Sequence, residues 1–213
     1  MQPNGLQHIR QLQNDKLPMN YFKLWLTAYL NPRKFADELA NKPAPKWGFF
    51  AALQRGLMDS LFTYLPVYLL GRIPPTPSNL SFISTENYYG ALIIIAPIVL
   101  IFEWLISSSI MHVILKLSSK RSDFDQILNI SGFLALAIGT IIIIWDAFWL
   151  TFGGLNQYAL GISHLIIDIW AIIISTIALK RILNVPIWLG IILNIIAILV
   201  TFPLAIMFMR SPI

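Results

Sequence analysis

The chain has 213 residues, a net charge of +5 and a mean hydropathy of +0.70. Only 12% of it is charged, against about 25% in soluble domains, which excludes a soluble globular protein and leaves room for one membrane domain with a short arm. Cysteine is absent, so disulfides, thiolate metal sites and cysteine nucleophiles are excluded as well.

Residues 1–15 are polar. Arg10 and Lys16 are not followed by an apolar core and small-residue cleavage site at signal-peptide distance, so the first crossing is expected to be a retained signal-anchor. The polar positions Lys16, Asn20, Lys23, Thr27 and Asn31 then recur at helical spacing. Met19, Phe22, Trp25, Leu26, Tyr29 and Leu30 lie between them. This pattern predicts an amphipathic helix over about 16–31, resting in the headgroup region. Asn31-Pro32 reads as an N-cap followed by proline at the first helical position, opening a short helix over about 32–42. Pro43 and Pro45 end it, and Trp47 marks the interface. Residues 1–48 are thus expected to form a cytosolic arm, with Lys16, Lys23, Trp25 and Trp47 as interfacial anchors. The arm would also serve as a platform for a cytosolic protein partner.

Four long apolar runs and a weaker one ahead of them predict five spans, at about 49–70, 89–115, 127–150, 160–179 and 185–209. The first contains Gln54, Arg55, Asp59, Thr63 and Pro66, and is therefore expected among other helices and away from lipid. The loop after it is rich in proline and serine and holds a glycosylation acceptor pattern, Asn79-Leu80-Ser81. Pro97 should kink the second span, and Pro203 should bend the fifth. Ala135 and Gly139 form a small-xxx-small pair that permits close helix contact. Twelve basic residues fall on one side of this arrangement and two, Arg72 and Arg210, on the other. That bias puts the N-terminus in the cytoplasm and the C-terminus outside. It also accounts for the positive charge without nucleic acid.

Ionisable residues inside apolar spans face inward and find partners, because each is costly in lipid. By depth they form two groups. Arg55, Asp59 and Glu103 lie near the midplane and are read as a polar network, Arg55 and Asp59 being one turn apart on one face. Asp146, His164 and Asp168 lie towards the outer leaflet, where the third and fourth spans are joined by a short loop. This second set is a candidate cation or proton site. Its ligand types suit zinc or a harder divalent ion, but no diagnostic spacing accompanies them, so whether metal binds stays open. His112 stands apart near the cytoplasmic end of its span. Intramembrane hydrolysis finds no support: there is no H-E-x-x-H or G-x-S-x-G, and the aspartates occur as Trp145-Asp146 and Ile167-Asp168 without flanking glycine.

The layout from Tyr29 to Met209 resembles the Yip family of Ypt/Rab-interacting membrane proteins. Asn31-Pro32-Arg33-Lys34-Phe35, with Leu39 and Pro43, looks like the element preceding the first span in prokaryotic members. Ser122–Gly132, with Phe124 and Leu128, is similar to the family's entry to the third span. Ile169-Trp170 with Ala178-Leu179 is similar to its fourth-to-fifth hairpin. The resemblance implies five spans, an inside N-terminus and no enzymatic activity or cofactor. Eukaryotic members are linked to Rab GTPases, vesicle traffic and membrane shaping. The aspartate-leucine-x-glycine-proline element and the glycine-tyrosine motif of those members are missing, which favours a prokaryotic cell membrane over endoplasmic reticulum or Golgi.

The expected protein is an all-α, polytopic five-helix transmembrane bundle preceded by a cytosolic interfacial amphipathic helix. Its expected role is a membrane-organising or trafficking-type scaffold, with a small ion- or proton-coupled transporter or channel as the alternative. The lipid bilayer, a homo-oligomeric copy and a cytosolic protein at the arm are the partners considered.

Overall fold

Helices and turns make up the computed structural model, which describes residues 21–42, 44–74, 82–152 and 157–208 and has no strand among them. Lys16, the beginning of the amphipathic segment, Pro43 and the Asn79-Leu80-Ser81 pattern lie outside the described residues.

Among the described residues two arm helices come first, α1 (Tyr21–Leu30) and α2 (Pro32–Ala40). Between them the Asn31 side chain accepts a hydrogen bond from the Lys34 amide at 3.1 Å, and Pro32 occupies the first helical position, where a missing N–H costs nothing. Three faces run along α1. Leu24 and Ala28 are buried, Lys23 and Thr27 form a polar strip, and Phe22, Leu26 and Leu30 make an exposed apolar one. The buried face packs on α2 and on the bundle, so the arm is folded onto the membrane domain.

Helix α3 (Lys46–Asp59) continues through a π-helical turn (Ser60–Tyr64) into α4 (Leu65–Leu69). The wider turn precedes Pro66, whose ring has no N–H to give and would crowd the carbonyl four residues back in a regular helix. A 3₁₀ turn (Thr85–Asn87) leads into α5 (Tyr88–Leu117), followed by α6 (Phe124–Phe152), α7 (Gln157–Leu183) and α8 (Ile187–Phe208). Pro97 and Pro203 lie inside α5 and α8. Asn184 closes α7 in the left-handed region at φ 56°, and Pro186 then bars its continuation.

Among the described residues four helices are long and apolar enough to cross a membrane: Thr85–Leu117, Phe124–Trp149, Ile162–Leu183 and Ile187–Phe208. The fifth expected span, 49–70, is not among them. Its backbone is helical from 46 to 69, yet it is interrupted by the π turn and carries Lys46, Gln54, Arg55 and Asp59. One side of α3 wedges between α5 and α6, while Phe50 and Leu57 stay exposed on the other. Close approach to α6 depends on Gly48 and Gly132, because a Cβ at 132 would strike the backbone of Gly48. Around this wedge α5 packs on α8, α8 on α7, and α7 on α6. The lipid-facing sides are apolar, as at Ile94, Ile98 and Phe102 of α5 or Ile166 and Ile173 of α7. This is an integral membrane protein.

Candidate functional site

On α3, Arg55 and Asp59 form an ion pair one turn apart, with only 7% and 4% of their surfaces exposed. The position facing Arg55 on α6 is Gly139, and a Cβ there would occupy the space of the guanidinium. The small residue is therefore needed for a charged side chain, more than for backbone contact alone.

Arg55 also borders a cavity of about 270 Å³ at the centre of the bundle, walled by side chains from α3, α5, α6, α7 and α8. Two carboxylates line it, Glu103 from α5 and Asp168 from α7. Hydroxyls of Ser107, Ser131 and Thr201 and the amide of Asn194 complete its polar lining. Glu103 Oε1 is buried with no hydrogen-bond partner among the described residues. Asn194 is held by donation to the Gly190 carbonyl at 2.7 Å.

Beyond the cavity, His164 Nε2 meets Asp146 Oδ1 at 2.8 Å, and beside them the Trp145 indole donates to Ser163 Oγ at 2.7 Å. Both contacts tie α6 to α7. Asp168 lies within electrostatic range of His164, with no ion pair between them among the described residues. It shares the central cavity with Glu103, which the sequence had assigned to the other group. Among the described residues no three His, Asp or Glu side chains converge to hold a metal ion.

The two sequence groups are one belt. Glu103 lies within electrostatic range of Arg55 and Asp59, Asp59 within range of Asp146, and Asp168 within range of His164. Polar side chains thus run from α5 across α3 and α6 to α7. His112 is not part of it; its Nδ1 meets Ser122 Oγ at 2.7 Å and its ring packs on Phe124.

The anchors of the arm divide. Lys23 is exposed beside the apolar strip of α1. Trp25 packs against the bundle, and Trp47 stacks on Tyr21 with ring centroids 6.0 Å apart while Lys42 Nζ sits 4.4 Å over its ring. Burial pushes the Tyr21 phenol up to about 12. A residue the sequence reading passed over fixes the arm-to-bundle link. Asn129 of α6 is fully buried, accepts from the Gly48 amide at 2.8 Å, and donates to the carbonyls of Lys42 and Ala44 at 2.7 and 3.0 Å. An asparagine inside the run Ile127–Leu150 was the signal for it, since such a group must find partners in an apolar setting. A further link is Arg181 of α7, which donates from Nε and Nη2 to the Asp37 carboxylate of α2 at 2.7 and 2.8 Å.

A family model described as the Yip1 domain matches residues 26–209, covering the second half of α1 and everything after it through α8. No curated protein and no solved structure matches the chain.

Proposed function

The chain belongs to the Yip1 domain family, and on that premise we propose that it is a non-enzymatic membrane-organising scaffold whose working surface is the folded arm. One observation carries this reading. Helix α1 is fastened to the bundle by its buried face and still presents Phe22, Leu26 and Leu30 beside Lys23. An apolar strip bordered by a cation suits insertion at a headgroup boundary. The His164–Asp146 contact then ties α6, on which the arm packs, to α7. The basic end of the bundle is taken as cytoplasmic by charge bias, which gives the arm access to a cytosolic protein.

A second reading rests on the central cavity. A largely apolar space into which Glu103, Asp168 and Arg55 bring ionisable groups is what a small ion- or proton-coupled transporter could use. Proteoliposome flux of protons and small ions separates the two. The scaffold predicts flux no greater than in protein-free vesicles. It fails if the wild type conducts and folded Glu103→Gln or Asp168→Asn protein specifically loses that conduction.

A further inference from the structure

A groove of about 550 Å³ opens on the outer surface between α7 and α8, separate from the central cavity. Ile169 and Ile173 of α7 and Ile187 and Ile191 of α8 line it, and all four side chains are substantially exposed. At its mouth stand three cations, Arg33 from α2 and Lys180 and Arg181 from the end of α7. Apolar walls and a cationic rim therefore belong to one continuous site assembled from the arm and two spans.

We propose that this groove binds an anionic phospholipid, with the acyl chains along the isoleucines and the headgroup phosphate at Arg33, Lys180 and Arg181. Length supports a lipid. From Ile169 to Lys180 the groove follows α7 for about 16 Å at ~1.5 Å per residue, close to one leaflet of a ~30 Å hydrocarbon core. Charge supports an anion. Arg33 and Lys180 have no ion-pair partner among the described residues, and Asp37, one turn from Arg33, is paired with Arg181. Arg33 precedes Asp37 by one turn of α2, so both project from the same face towards the mouth. Asp37 engages Nε and Nη2 of Arg181, which leaves Nη1 for a second acceptor and keeps the side chain oriented. Basic pockets between spans at the cytoplasmic surface are a chemically suited seat for phosphate headgroups.

The test uses the full chain in phosphatidylcholine vesicles doped with spin-labelled phosphatidylglycerol or spin-labelled phosphatidylcholine, reading the motionally restricted fraction. The phosphatidylglycerol probe should be restricted preferentially. Its relative affinity should fall roughly 20- to 30-fold in Arg33→Gln/Lys180→Gln protein, at about fivefold per basic residue. Lys116→Gln/Lys120→Gln, at the same end but off the groove, should leave it unchanged. Ile173→Trp, which fills the groove, should lower the restricted fraction. Equal restriction of the two probes would overturn the proposal, as would equal loss in the Lys116/Lys120 control, which would mean diffuse surface charge. So would an unaffected Ile173→Trp protein, or displacement by equimolar glycerol phosphate, which would mean a site for soluble phosphate.

Discussion

Asn129 on α6 and Gly48 at the start of α3 are joined by a 2.8 Å hydrogen bond inside the bundle, and the same side chain binds two carbonyls of the preceding linker. Three backbone groups that would lie unpaired where the arm enters the membrane domain are satisfied by one amide. Asn129→Ala should destabilise the protein by about 3 kcal/mol, since it orphans buried donors and acceptors. Asn129→Asp should cost more, because a carboxylate would face the carbonyls of Lys42 and Ala44. Denaturation titrated in mixed micelles would measure both. A loss below about 1 kcal/mol for the alanine variant would mean that water replaces the amide.

Arg55 and Asp59 should show the asymmetry of a buried ion pair. Arg55→Ala strands a carboxylate and should cost about 3–5 kcal/mol, whereas Arg55→Met/Asp59→Leu should recover much of it. The same unfolding titration, run as a double-mutant cycle, checks this. A double variant as unstable as Arg55→Ala would show that the loss comes from packing alone.

Glycines of the wedge differ from glycines elsewhere. Gly132→Val drives a side chain into the backbone of Gly48 and should force α3 from α6, with destabilisation of about 3 kcal/mol or failure to fold. Gly190→Ala meets only the Thr176 side chain at first contact, 3.1 Å away, and should cost under about 1 kcal/mol. Comparable losses from the two would contradict the wedge geometry.

The Tyr21 phenol, raised to about 12 by burial, has a sign that can be tested. Its neutral form is favoured in the folded state, so its contribution is constant below the unfolded value near ~10. Stability is then lost as pH rises from there to the folded value. Tyrosinate absorbance of wild type minus Tyr21→Phe should titrate later than the free phenol. Because the hydroxyl has no hydrogen-bond partner among the described residues, Tyr21→Phe should change stability at neutral pH by less than about 1 kcal/mol. A difference spectrum centred at the free value would place the ring in water.

Asp37→Asn tests the clasp between α2 and α7. Both partners are about half exposed, so the global loss should stay under about 1 kcal/mol. Hydrogen exchange should nevertheless quicken in α2 and not in α6. Unchanged α2 protection would assign the arm's docking to Phe35, Ala36 and Leu39, which are fully buried beneath it.

The sequence by itself determined that this is an all-helical membrane protein, because long apolar runs have no stable solution in water and must satisfy their backbone internally in lipid. It also determined the Asn31-Pro32 helix start and put Arg55 and Asp59 one turn apart on one face, since caps and four-residue spacings are local geometry. Helical periodicity says which residues share a face and nothing about which helix meets that face. Only the tertiary structure decided that Asp168, within electrostatic range of His164, also lines the cavity that Glu103 borders. The sequence already expected its weakest apolar segment among other helices, but only the tertiary structure named its neighbours, α5 and α6, and the glycines Gly48, Gly132 and Gly139 that let α6 close over the charges of α3. Those contacts join residues far apart in the chain, and close packing selects them among many pairings that the same hydrophobic pattern would allow.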